Sequence, residues 1–174
     1  MFAKHWKILC AAFLGLFAVI VGCAKAQTPQ AVVQKYCSLD ALGANYSASN
    51  PNSKAIWQLL TNEDEAGYDQ SVIIKSHQFG KSKVDSMSAS VEVIYADLGA
   101  IGGELDVKKE PRTESVTFHL TKIGNEWKID GLRILPHISQ QWMLSKLRSN
   151  LVMDQKAGKN DPRLKAAISE IGRW

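Results

Sequence analysis

The chain has 174 residues, 45% hydrophobic and 22% charged, with 21 basic and 17 acidic side chains and a net charge of +4. So balanced a charge argues against nucleic acid as a partner, and loss of Lys4 and Lys7 with a leader lowers it by two more. Three cysteines, two of them in the first 23 residues, leave Cys37 alone in the body of the chain, so no internal disulfide is available and stability must come from a packed core.

At the N-terminus, Lys4, His5 and Lys7 precede an uncharged run over residues 8–21. The run is shorter than the roughly 20 residues a spanning helix needs, so it reads as the core of a signal peptide. Ile20-Val21-Gly22-Cys23 at its end resembles the bacterial lipobox, in which the cysteine is acylated. Ala24-Lys25-Ala26 also fits the small-x-small site of ordinary signal peptidase, which would release a chain beginning at Gln27. The lipobox takes precedence because Gly22-Cys23 directly ends the apolar core. The expectation is an outer-membrane lipoprotein facing the periplasm, anchored through Cys23, or a soluble periplasmic or secreted protein if cleavage follows Ala26.

The remaining residues suffice for one domain, which at about 150 residues buries roughly two-thirds of the surface its unfolded chain exposes. Residues 28–44 predict a first helix, with Pro29 where a missing N–H does no harm and Val32, Val33, Tyr36, Cys37, Leu39 and Asp40 on one arc. "SASNPN" breaks the chain, and "SKAIWQLL" predicts a short second helix burying Ile56, Trp57, Leu59 and Leu60. It ends before Glu63-Asp64-Glu65, which would oppose the negative end of its dipole.

After Gly67 the period becomes two. "YDQSVIIKSHQF" and "ASVEVIYADL" predict strands separated by the turn "DSMS", with Val91, Val93, Tyr95 and Asp97 sharing a face of the second. "GAIGGELDVKKEPR" reads as an exposed loop or the end of an extended hairpin. In "SVTFHLTKIGNEWKID", Val116, Phe118 and Leu120 alternate with polar residues, Gly124-Asn125 suits a primed two-residue turn, and Trp127 and Ile129 return. Pro136 ends that strand. Residues 138–153 predict a helix with its apolar residues spread over more than one face. Asp161 and Pro162 open a last helix striped by Leu164, Ala167, Ile168 and Ile171.

The helix "QAVVQKYCSLDALG", the strand "ASVEVIYADLG" and the hairpin "VTFHLTKIGNEWKIDG" resemble the nuclear transport factor 2-like superfamily, the cone fold shared with ketosteroid isomerases. The resemblance implies an α+β fold in which N-terminal helices pack in the concave face of a strongly curved antiparallel sheet, with additional C-terminal helices. It implies a pocket at the wide end of the cone, with Tyr36, Asp40, Trp57, Tyr95, Asp97, Phe118 and Trp127 as candidate lining. The expected divisions are residues 1–26 as leader, 27–153 as the cone domain and 154–174 as a helical extension that caps the pocket, covers a sheet face or joins two protomers.

Asp40 stands out, because a carboxylate within an apolar arc must be paired or protonated. It reads either as a pocket carboxylate that binds a polar group or acts as a base, or as a structural residue meeting Arg133, a lysine or a backbone N–H; the structural reading takes precedence. Tyr36 and Asp40 on one helix do not reproduce the ketosteroid isomerase constellation, so no catalytic residue is assigned. His77, His119 and His137 lack metal-site spacing, and no metal or cofactor is expected. "FGKS" around Lys81 lacks the first glycine of a phosphate-binding loop. The expected function is a non-catalytic envelope protein binding a small apolar or amphipathic ligand or serving an accessory role. The alternatives are a small isomerase or dehydratase using a pocket carboxylate, and an interaction or homodimerisation module.

Overall fold

The computed structural model describes residues 27–62, 68–131 and 134–174. The leader with Cys23, the acidic run after the second helix and Arg133 lie outside the described residues, and among those described no helix is long and apolar enough to cross a membrane.

The elements follow the order α1 (Pro29–Ala41), α2 (Ser53–Trp57), β1 (Gln70–Val84), β2 (Ser88–Gly102), β3 (Val107–Ile123), β4 (Glu126–Ile129), β5 (His137–Ser139), α3 (Gln140–Lys156) and α4 (Pro162–Ile171). The strands form one five-stranded sheet in the order β4-β3-β2-β1-β5. Helix α1 touches β1, β2 and both edge strands, β4 and β5. In a flat sheet those edges would lie about 19 Å apart, too far for one helix about 10 Å across. The sheet is therefore strongly curved into a half-barrel, and the α+β fold has helices at both ends, in agreement with the expected cone.

The curvature has local causes. Register shifts interrupt the β1–β2 pairing between Ile73 and Ser76 and again between Phe79 and Ser82, and the β2–β3 pairing between Asp97 and Gly99. Each such irregularity bends a strand and sharpens its twist. In the "FGKS" segment, Gly80 lies within β1. A side chain there would strike the Glu92 carboxylate, which accepts from Lys81 N at 3.0 Å and Ser115 Oγ at 2.6 Å.

The bends also split the interior in two. Val32, Val33, Tyr36, Ile56, Val72, Ile74, Val91, Val93, Tyr95, Phe118, Leu120 and Ile129 form the core inside the cone. Ile73, Ile101, Ile138, Met143, Leu147, Leu164, Ala167 and Ile171 form a second core beneath α3 and α4. Thus the last helix covers a sheet face.

Several expectations are corrected. Helix α1 stops at Ala41 rather than near residue 44, because Gly43 takes a left-handed φ of +73° and the N–H groups of Gly43 and Ala44 return to the carbonyls of Asp40 and Leu39. Helix α2 ends at Trp57 rather than Leu60, and Leu60 instead forms a parallel bridge to Ile129. The glycine-containing connection is an extended hairpin end, with β2 and β3 paired as far as Ile101 and Val107. The sheet is not wholly antiparallel, since His137–Ser139 form a short strand running parallel to β1 before α3 starts. The Gly124-Asn125 turn is as expected: φ at Gly124 is +62° and Asn125 stays outside the positive region, the II′ pattern.

Candidate functional site

Helix α1 aims three polar side chains into the cone at helical spacing. Asp40, fully buried, accepts two hydrogen bonds, from His137 N to Oδ2 at 2.8 Å and from Asn45 Nδ2 to Oδ1 at 3.0 Å. Asn45 Nδ2 also donates to the Tyr36 hydroxyl at 2.9 Å. Burial pushes the Asp40 carboxyl up to about 7, against the pull of those two hydrogen bonds. Asp40 thus pins the C-terminal end of α1 to the first residue of β5, the backbone N–H partner among the structural possibilities. Cys37 Sγ lies 3.3 Å from the Tyr95 hydroxyl, and burial pushes its thiol up to about 12, which keeps it unreactive.

The aromatic candidates divide by position. Tyr36 and Phe118 meet edge to face with centroids 5.4 Å apart and fill the cone where they meet. Trp127 is buried on β4 with Lys122 Nζ 5.8 Å from its ring centroid, and half-buried Trp57 packs against the same core. These four act as packing. Tyr95 is different, because its ring stacks on His137 at 3.9 Å and an interplanar angle of 19°.

Around that stack lies a polar cluster at the β5 end of the concave face. Asp97 follows Tyr95 on the inward row of β2, and β3 sets Arg112 opposite Asp97 and Glu114 opposite Tyr95. Arg112 Nε donates to Asp97 Oδ2 at 3.1 Å and its Nη2 donates to Glu114 Oε2 at 2.8 Å. Asp97 Oδ1 is buried and has no hydrogen-bond partner among the described residues. Burial pushes its carboxyl upward, Arg112 opposes the shift, and the neighbouring Glu114 carboxylate adds to the rise.

His137 is 2% exposed, and neither ring nitrogen has a hydrogen-bond partner among the described residues. Burial, helped by the Arg112 and His77 charges, disfavours the protonated ring, whereas the Glu114 charge and the Leu135 carbonyl, the latter outside hydrogen-bond geometry, favour it. Burial outweighs them and lowers the imidazole to about 4, so it is neutral near pH 7. One nitrogen of His137 and one oxygen each of Asp97 and Glu114 all lie within 4.8 Å of one another.

A cavity of about 290 Å³ borders this cluster, lined by the apolar Val72, Ala100 and Leu135 together with Gln70, Asp97, Glu110 and Arg112. Of the expected site residues only Asp97 lines it. Arg112, Glu114 and His137 carried no motif in the sequence; the one readable hint is an acid and a base two apart on a strand, which share a face.

No family model and no curated protein matches the chain in sequence. Among solved structures it is similar to a chain described as "Ntf2-like, potential transfer protein TraM from Gram-positive conjugative plasmid pIP501", at a TM-score of 0.37 and 13% identity over 59% of this chain and 91% of that one.

Proposed function

We propose that the chain is an exported envelope protein, held at the outer membrane through acylated Cys23, that binds a small amphipathic molecule without transforming it. The observation that carries this reading is the buried Asp97 Oδ1, without a hydrogen-bond partner among the described residues, beside a cavity whose lining mixes polar and apolar side chains. A buried acceptor without a partner is unfavourable by about 1–3 kcal/mol, which a ligand donor would relieve. The apolar part of the ligand would lie on Val72, Ala100 and Leu135 and its polar head against Asp97 and Arg112. Roughly 290 Å³ falls at the lower end of the range for small-molecule sites, which argues for a compact ligand. A ligand wholly inside the cone has less support, because Tyr36 and Phe118 are themselves packed there.

The enzyme alternative is disfavoured at Asp40, whose two oxygens are sealed from solvent and hydrogen-bonded. An interaction role has one supporting observation. Val84, Met87 and Ile123 are more than half exposed, and Lys122 N bonds Met87 O, which places this apolar group at the far end of the sheet.

Native mass spectrometry of the protein purified from its own membrane tests the reading. The expected spectrum shows an acylated N-terminus and one bound small molecule that Ala100→Phe, by filling the cavity, abolishes. A wild-type chain without an adduct, or an adduct that survives Ala100→Phe, would sink the ligand claim. An unmodified N-terminus would separately sink the anchor.

A further inference from the structure

We propose that Asp97, Glu114 and His137 form a binding site for a divalent first-row transition metal ion of the zinc class. The site shares Asp97 with the amphipathic-ligand reading but does not rest on it, since an ion needs no occupant in the neighbouring cavity. Its donors come from three strands, β2, β3 and β5, and converge on the concave face, each pair of donor atoms within 4.8 Å. In a tetrahedral site with bonds of about 2.0–2.2 Å the donors stand about 3.4 Å apart, so an ion would draw any more widely spaced pair of them together. Glu114, with its side chain 36% exposed, has the freedom to make that move.

Two independent features point to an occupant. His137 is 2% exposed, yet neither ring nitrogen is hydrogen-bonded among the described residues. A buried imidazole ordinarily fixes its tautomer by donating one N–H and engages the other nitrogen as an acceptor or a metal ligand. Asp97, 4% exposed, likewise has Oδ1 without a hydrogen-bond partner among the described residues. One imidazole nitrogen and two carboxylates suit zinc, iron or manganese, whereas calcium sites are built from oxygens alone.

Arg112 is the competitor. Its guanidinium bonds Asp97 Oδ2 and Glu114 Oε2 and supplies positive charge to both carboxylates. Its side chain is 55% exposed, so it can swing outward as an ion arrives. Binding should therefore be opposed by Arg112, a behaviour that a purely structural ion cluster would not show.

The test titrates the chelator-stripped mature protein with Zn²⁺ by calorimetry and with Co²⁺ by visible absorption. One equivalent is expected, with a cobalt spectrum of mixed nitrogen and oxygen ligation. His137→Gln and Asp97→Asn should weaken binding by more than about 100-fold, since even supporting residues around metal ligands contribute 10–100-fold. Glu114→Gln, at a half-exposed position that leaves the fold intact, should weaken it at least about tenfold. Arg112→Gln should tighten it about tenfold by removing a nearby like charge. The proposal is overturned if the wild type binds no stoichiometric metal, if only Arg112→Gln binds it, or if binding persists undiminished in Glu114→Gln.

Discussion

Asp40 and His137 are joined through one hydrogen bond yet respond to pH in opposite senses. Asp40 has its folded pKa raised from 3.8 to about 7, so its contribution is full below pH 3.8 and is lost as pH rises toward 7. His137 has its folded pKa lowered from 6.5 to about 4, so the unfolded chain holds the extra proton between those values and stability rises with pH across them. Tyr36 and Cys37, which face Asp40, have raised pKa values and stay neutral throughout this window. Each effect amounts to a few kcal/mol at about 1.4 kcal/mol per pH decade, so in the wild type the two oppose each other, as do those of the raised Asp97 and the lowered His77. In chelator, urea unfolding between pH 4 and 6.5 should show little change for the wild type. Asp40→Asn should gain a few kcal/mol over the same interval, and parallel curves for the two proteins would contradict this assignment.

Among the elements, α1 depends most on a single small residue. Gly43 has a left-handed φ of +73°, and an added Cβ there would collide with the Trp142 ring of α3. That ring meets Tyr46 edge to face at 5.6 Å, which fixes the loop after α1 against α3. Gly43→Ala combines a left-handed penalty of about 1 kcal/mol with displacement of a packed indole, so a loss of roughly 2–4 kcal/mol is expected in denaturant unfolding. A loss below about 1 kcal/mol would mean that Trp142 moves freely aside. The strands show the opposite balance between local and distant causes. The period of two and the Gly124 turn were legible because they depend on neighbouring residues. Strand β5 was not, because its three residues are strand only by virtue of β1 alongside them.

At the scale of the whole molecule, the second core makes α4 integral to the fold. Leu164, Ala167 and Ile171 are buried on Ile73, Ile101 and Ile138, with Trp174 packed at the edge. Burying one large aliphatic side chain contributes about 1.5–3 kcal/mol, and a domain's net stability is only about 5–15 kcal/mol. A chain ending at Lys156 should therefore unfold at much lower urea, or bind a hydrophobic dye as an expanded state. An unchanged unfolding midpoint would show that α4 is a detachable extension.

Much of this architecture was readable from residue order. Helix stripes, proline starts, strand alternation and the II′ turn are set by local sterics and by periodicities of 3.6 and 2, which any stretch of chain carries within itself. Asp40 was also legible as a buried carboxylate, because one helix carried the whole signal. The convergence of Asp97, Arg112, Glu114 and His137 was not. They lie on three strands, and their meeting depends on strand register, on the bulge between Asp97 and Gly99, and on a parallel edge strand anchored by Asp40. Register and curvature arise only when distant segments pair, so the fold class is inscribed along the chain, whereas the candidate site exists only in its closure.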